Sequence, residues 1–205
     1  IEKLQKYASL FGLNERTGIE IEEAAPQIAN EFPVMAAIGQ SNNNYTTVQL
    51  ARYVTAVANE GTVYQYTLLN RLEDSDGNVL QTFEPQVRNQ IDVLDTEEWN
   101  AIHSGMRMVV ENTKEFDGFP IEAAGKTGTA QQNLKRPNHA LFVGYAPYDD
   151  PEISIATRIA YGYTSHNAAK LARNVFAYYF NVENEEELLN GQAANGNSSS
   201  NEISD

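Results

Sequence analysis

The sequence predicts an α+β fold, a mainly antiparallel sheet flanked by helices, on three observations. Helical periodicity marks residues 1–13, 46–61 and 95–112. Three strand-like runs then follow one another, IEAAGKTGTAQQ (121–132), NHALFVGYAP (138–147) and EISIATRIAYGY (152–163). Their short connections contain Pro137, Asn138, Pro147, Asp149 and Pro151, which favours a meander of neighbouring antiparallel strands over long crossovers.

Each element has its own reason. In IEKLQKYASLFGL, Ile1, Leu4, Ala8 and Phe11 share one helical face and Gly12 is a stop. No capping residue precedes Ile1, so the chain is expected to open inside a helix. In TTVQLARYVTAVANEG, Thr46 and Gln49 stand at capping-box spacing. Leu50, Val54, Val57 and Ala58 form the expected buried stripe, and Gly61 ends the segment. Apolar and polar residues alternate on either side of Asp76-Gly77, a hairpin signal. In DTEEWNAIHSGMRMVVEN, Asp95 and Glu98 repeat the capping spacing, while Trp99, Ile102, Met106, Val109 and Val110 line one face and His103 falls on the polar side. The last helix, within 166–182, carries Leu171, Val175, Phe176 and Tyr179 at helical spacing, with the preceding sheet as their partner.

Composition bounds the function. The 205 residues are 41% hydrophobic and 20% charged, enough for one sizeable folded domain, placed at 1–182. From 183 to 205 there is no basic residue, no aromatic and no periodicity, so this stretch is expected to be a disordered acidic tail. A formal net charge of −14 argues against nucleic acid or an anionic membrane as partner. No run is long and apolar enough to span a bilayer, and no signal peptide opens the chain. Without cysteine there is no disulfide and no thiolate chemistry. The three histidines are scattered, so neither a metal nor another cofactor is expected.

AAGKTGTAQQ, residues 123–132, is the stretch that carries chemistry. As a phosphate loop it fails, because the glycine required six positions before Lys126 is Pro120, which has no amide hydrogen. As an acyl-transfer element it makes sense. Lys126 is a fixed positive charge on a strand, and Thr127 and Thr129 add hydroxyl donors, so the three can hold a carboxylate. Gly128 lets a substrate lie against the strand, and the Ala130 amide is expected to help an oxyanion hole. A Lys-Thr-Gly triplet arises by chance in roughly one chain in twenty of this size, so its surroundings must decide.

Those surroundings resemble a family. AAGKTGTAQ, HALFVGYAP and PEISIA, in that order, resemble the end of the transpeptidase domain of class B penicillin-binding proteins. FGLNERTGIEI resembles the segment after that family's Ser-x-Asn motif. IGQSNNNYTTVQLARYVTAVANEGTVY and MRMVVEN resemble the helices before its lysine strand. The chain departs at Gly39-Gln40-Ser41, where the family has Gly-Gln-Gly, and at Glu60-Gly61, where it has Asn-Gly. A larger departure is that no serine is followed by lysine three residues on, and the Ser-x-Asn matches at 41–43, 165–167 and 199–201 are out of place.

The resemblance therefore implies the C-terminal portion of a peptidoglycan D,D-transpeptidase, carrying the Lys-Thr-Gly wall of the site but not the nucleophilic serine, and inactive alone. It implies stem peptides ending in D-Ala-D-Ala and β-lactams as ligands, and Lys126 as the catalytic-site cation. It also implies a membrane-anchored parent in a cell-wall synthesis complex, on the outer face of the bacterial cytoplasmic membrane. A sheet edge left open would favour self-association. The alternative is a penicillin-sensing or scaffold module of the same fold.

Overall fold

The computed structural model describes residues 1–184 together with 186 and 188, so most of the tail placed at 183–205 lies outside the described residues. The chain divides into two units, Ile1–Asp95 and Thr96–Asp205.

In the first unit, α1 (Glu2–Leu10) ends where Gly12 takes φ +73°. None of its side chains is fully buried. A five-residue helix, α2 (Pro33–Ala37), precedes α3 (Thr47–Ala58). The predicted capping box opens α3: Thr46 Oγ1 accepts from Gln49 N, and Gln49 Oε1 accepts from Thr46 N at 2.8 Å. Val54 and Val57 are buried as expected, but Leu50 and Ala58 are only half-buried. The stripe instead includes Gln49 and Arg52. Their polar ends satisfy a loop: Arg52 donates to the carbonyls of Gly12, Glu15 and Arg16, and Gln49 Nε2 to Glu15 O at 2.8 Å. Burying these two residues is tolerable because those carbonyls replace their hydration.

The segment around Asp76-Gly77 forms two antiparallel pairs rather than one continuous hairpin. Strands β1 (Thr62–Gln65) and β4 (Gln86–Gln90) pair with each other. Between them in sequence, β2 (Arg71–Glu73) pairs with β3 (Val79–Thr82). Gly77 takes a positive φ, +85°. The turn is tied by Asp74, whose Oδ1 accepts from the amides of Asp76 and Asn78 at 2.9 Å each.

The second unit begins with α4 (Thr96–Glu111) and a 3-10 turn at Lys114–Phe116. Three strands follow, β5 (Ala124–Ala130), β6 (His139–Ala146) and β7 (Ile153–Ile159), antiparallel in the order β5-β6-β7. The predicted meander is present. Helix α5 (Ser165–Tyr179) packs on it, and the core joins Phe142 and Ala140 of β6 to Ala168, Ala169, Ala172 and Phe176 of α5.

The inward face of α5 differs from the expected one. Phe176 is buried, but Leu171, Val175 and Tyr179 are 45%, 37% and 47% exposed. Three alanines face the sheet in their stead, since Phe142, stacked 5.7 Å from Phe116, already fills the space and only small side chains fit against it. On α4, Trp99 and Val110 are buried while Ile102 is 37% exposed. His103, expected in solvent, is half-buried, with its ring 5.7 Å from Tyr145 and 6.2 Å from Trp99. Residues 99 and 103 are one helical turn apart, so His103 follows the buried Trp99 toward the sheet.

Candidate active site

Among the described residues, strand β5 has a partner strand on one side only, so its other side is an edge of the sheet. Gly125 faces Gly144 across the pair. A Cβ on Gly125 would lie 2.3 Å from Phe142 Cζ and 2.8 Å from Val143 O, and one on Gly144 would lie 2.6 Å from Ala124 O. Both glycines are therefore demanded by close packing beneath Phe142. Gly128 is different: a Cβ there would meet only Leu141 Cβ, at an ordinary 3.5 Å. The fold does not require a glycine at that position.

Register assigns the remaining groups. Val143 O and Ala124 O point across at the facing strand, which makes Gly125 and Gly144 a pair without mutual hydrogen bonds. By alternation, the amides of Lys126, Gly128 and Ala130 turn to β6, and those of Thr127 and Thr129 turn away from it. The Ala130 amide, expected in the cleft, thus faces β6, because strand parity places it one residue out of phase. Side chains alternate as well. Lys126, Gly128 and Ala130 share a face with Val143, Leu141 and His139, whereas Thr127 and Thr129 share the face of Phe142 and Ala140. Lys126 is exposed, and its Nζ donates to Thr127 O at 2.8 Å. All five expected site residues stand on this one strand, as cation, hydroxyls and outward amides along an edge.

A second group of polar residues sits at the far end of the strand, and it carried no signal in the sequence beyond a histidine leading into β6. His139, opposite Ala130, is buried. Its Nδ1 accepts from Tyr161 N at 3.1 Å, so it is Nε2–H that donates to Gln132 Oε1 at 2.9 Å. Its ring lies 4.9 Å from that of Tyr161. Burial, and then the Arg158 guanidinium 3.4 Å away, hold the imidazole below its ordinary pKa. Among the described residues, no group of three His, Asp or Glu side chains could hold a metal ion.

An antiparallel sheet with helices packed on it makes this an α+β protein. The chain matches the penicillin binding protein transpeptidase domain over residues 1–177, and it belongs to that family. Among curated proteins it is 32% identical to the peptidoglycan D,D-transpeptidase MrdA of Haemophilus influenzae, over 88% of this chain and 33% of that protein. The solved structure of penicillin-binding protein 2B from Streptococcus pneumoniae superposes with a TM-score of 0.76 at 25% identity, covering 89% of this chain and 33% of that one. An imipenem acyl-enzyme complex of penicillin-binding protein A from M. tuberculosis gives 0.76 at 22% identity, with 88% and 42% covered. The chain spans about a third of the length of the curated relatives it matches.

Proposed function

We propose that these residues form one wall of a D,D-transpeptidase site that binds penicillin and cross-links stem peptides ending in D-Ala-D-Ala. The carrying observation is the edge strand: Lys126 is exposed on it, and the fold leaves Gly128 free to be glycine for a ligand's sake. Lys126 supplies positive charge for the substrate's terminal carboxylate from one face of the strand, and the hydroxyls of Thr127 and Thr129 approach the same edge from the other face. A peptide laid along the edge takes its main-chain hydrogen bonds from the outward backbone groups of Thr127 and Thr129. The oxyanion donor is then the Thr129 amide rather than that of Ala130.

The attacking serine comes from outside these 205 residues, as no Ser-x-x-Lys occurs among them. In the acyl step its oxygen bonds to the scissile carbonyl carbon, its proton is relayed by a neighbouring basic side chain to the amide nitrogen, and the C–N bond breaks so that terminal D-alanine leaves as the amine. An amine of a second stem peptide then displaces the serine. The parent works on the outer face of the bacterial cytoplasmic membrane within a cell-wall synthesis complex. No helix among the described residues is long and apolar enough to cross a membrane.

Intact-mass measurement after incubation with a penicillin tests the reading. The 205-residue chain should stay unlabelled, and the full-length protein should gain one penicillin adduct. An adduct on the short chain would place a nucleophile among its own serines, and an unlabelled full-length protein would favour the scaffold reading.

A further inference from the structure

Beyond Ala130 the chain leaves the sheet in a loop, 131–138, before it returns as β6. Residues 131–137 are all exposed, and Leu134, at the middle of the loop, is 89% exposed. No buried side chain of its own therefore holds this stretch. Its attachments are polar, and two of them lead to one buried ring. Gln132 Oε1 accepts from His139 Nε2–H at 2.9 Å. Arg136 Nη1 donates to Tyr161 Oη at 2.7 Å, and its guanidinium lies 5.3 Å over the tyrosine ring. That ring packs 4.9 Å from His139. A third attachment is Asn138 O, which accepts from Tyr163 N at 3.1 Å.

The turn that receives these contacts is strained. Tyr161 and Tyr163 hold φ +56° and +67°, in the left-handed region that bulky side chains avoid. Between them Gly162 is held close to the sheet, where an added Cβ would lie 2.8 Å from Ile159 Cβ and 2.9 Å from Ala140 Cβ. The Tyr161 amide donates to His139 Nδ1 at 3.1 Å. The imidazole thus ties two segments together, as acceptor to the strained turn and as donor to the exposed loop. Only the neutral ring can do both. Around it stand Ala130 of β5, Gln132 of the loop and Arg158 of β7, whose Nη2 is 3.4 Å from Nδ1, with Arg136 beyond Tyr161. Among the described residues no carboxylate stands at ion-pair distance from it. A second proton would find no partner there and would set Nδ1–H against the Tyr161 amide.

We infer that His139 is a positioning residue for the β5 edge: its neutral ring fastens loop 131–138 to the 160–164 turn, and a proton on Nδ1 releases the two. This rests on the reading of that edge as a wall that binds penicillin and peptide. A ligand laid along Thr127 and Thr129 meets Gln131 and Gln132 next. With the loop fastened, that stretch is ordered before the ligand arrives. Once released, ordering it becomes a cost of binding. The sign follows from the surroundings of the ring. Burial and Arg158 hold its pKa below the ordinary 6.5, so the loop is fastened at neutral pH and is released as pH falls through that lower value.

The test uses the full-length protein and benzylpenicillin, with the second-order rate of adduct formation followed by intact mass from pH 7.5 down to pH 4.5. The comparison is His139→Asn, which keeps an acceptor for the Tyr161 amide and cannot take a proton. Across that range the wild-type rate should fall about fivefold further than the variant's, the scale of one hydrogen bond. Acid effects on the other basic groups of the site are common to both proteins and cancel. Rates are referred to the protein that finally carries an adduct, so a smaller folded fraction does not alter them. The wild type alone gives a second readout, hydrogen exchange by mass spectrometry at the two ends of the range, corrected for intrinsic amide rates. At the acid end exchange should rise in 131–138 and 160–164 while 140–146 of β6 stays protected. Equal falls in the two proteins, or a loop whose exchange does not change, overturn the inference. Exchange that rises as much in β6 as in the loop also overturns it, since His139 would then serve the fold as a whole. If penicillin leaves no adduct on the wild type at any pH, the transpeptidase reading itself falls.

Discussion

Two glycines three residues apart show how one side chain's absence can have two causes. At Gly125 the cause is internal, because an added methyl would sit 2.3 Å from Phe142 Cζ in a filled core. Gly125→Ala should therefore destabilise the second unit by about 2 kcal/mol, the scale of overpacking, read from urea denaturation. At Gly128 the nearest obstacle is Leu141 Cβ at 3.5 Å, and no positive φ is needed. Gly128→Ala should leave the denaturation midpoint almost unchanged, yet slow penicillin acylation of the full-length enzyme by about tenfold if a ligand lies against that strand. Equal stability losses at both positions would mean that the second glycine is structural too, and an unchanged acylation rate at Gly128→Ala would remove it from the site. The sequence displays both glycines but gives no means of ranking them. That distinction depends on Phe142, which pairs with Thr127 only once β6 folds back.

Helix caps, turns and strand order were readable because they depend on neighbours in sequence. Thr46 and Gln49 form their capping box from residues three apart, and the meander follows from short, proline-marked connections. Burial was less legible wherever a distant element decided it. Periodicity pointed to Leu171, Val175 and Tyr179 on α5, whereas the sheet admits the alanine side; Arg52, outside the expected apolar stripe of α3, is buried because the loop carbonyls at 12–16 accept from it. The start of β6 is the same case, with a pH-dependent consequence. His139 Nδ1 accepts a hydrogen bond from an amide and Nε2–H serves Gln132, so a second proton would place two donors face to face. Its folded pKa is depressed by burial and by Arg158. Below an ordinary imidazole pKa the unfolded chain binds the proton more readily, so stability is complete above about pH 6.5 and declines as pH falls through the folded value. Urea midpoints at pH 7.5 and 5.5 should separate more for the wild type than for His139→Gln. An equal separation would mean that this imidazole is not coupled to folding.

At the scale of the whole molecule, the candidate site is an edge, and an edge is incomplete chemistry. The sequence showed which strand would carry Lys126, but not which side of it would be free. That followed from the order β5-β6-β7, with β5 and β7 outermost. Strand parity then separates the two borders. On β5 the outward amides belong to Thr127 and Thr129, where we place the ligand. On β7, Gly144 directs its own backbone groups to Ile155, so Ala156 and Arg158 turn their amides outward. Residues 153–156 carry no acidic side chain and are half-buried, with Ile153 and Ile155 packed against the α5 core. A strand border with no neighbouring strand among the described residues is a template for a further strand. The 205-residue chain should accordingly self-associate as its concentration rises, observed by sedimentation velocity. Ala156→Pro removes an outward amide without breaking the ladder to β6, and should shift the distribution toward monomer while the thermal midpoint changes little. A chain that stays monomeric at high concentration would mean that the β7 border is covered, and association undiminished by Ala156→Pro would move the contact to another surface.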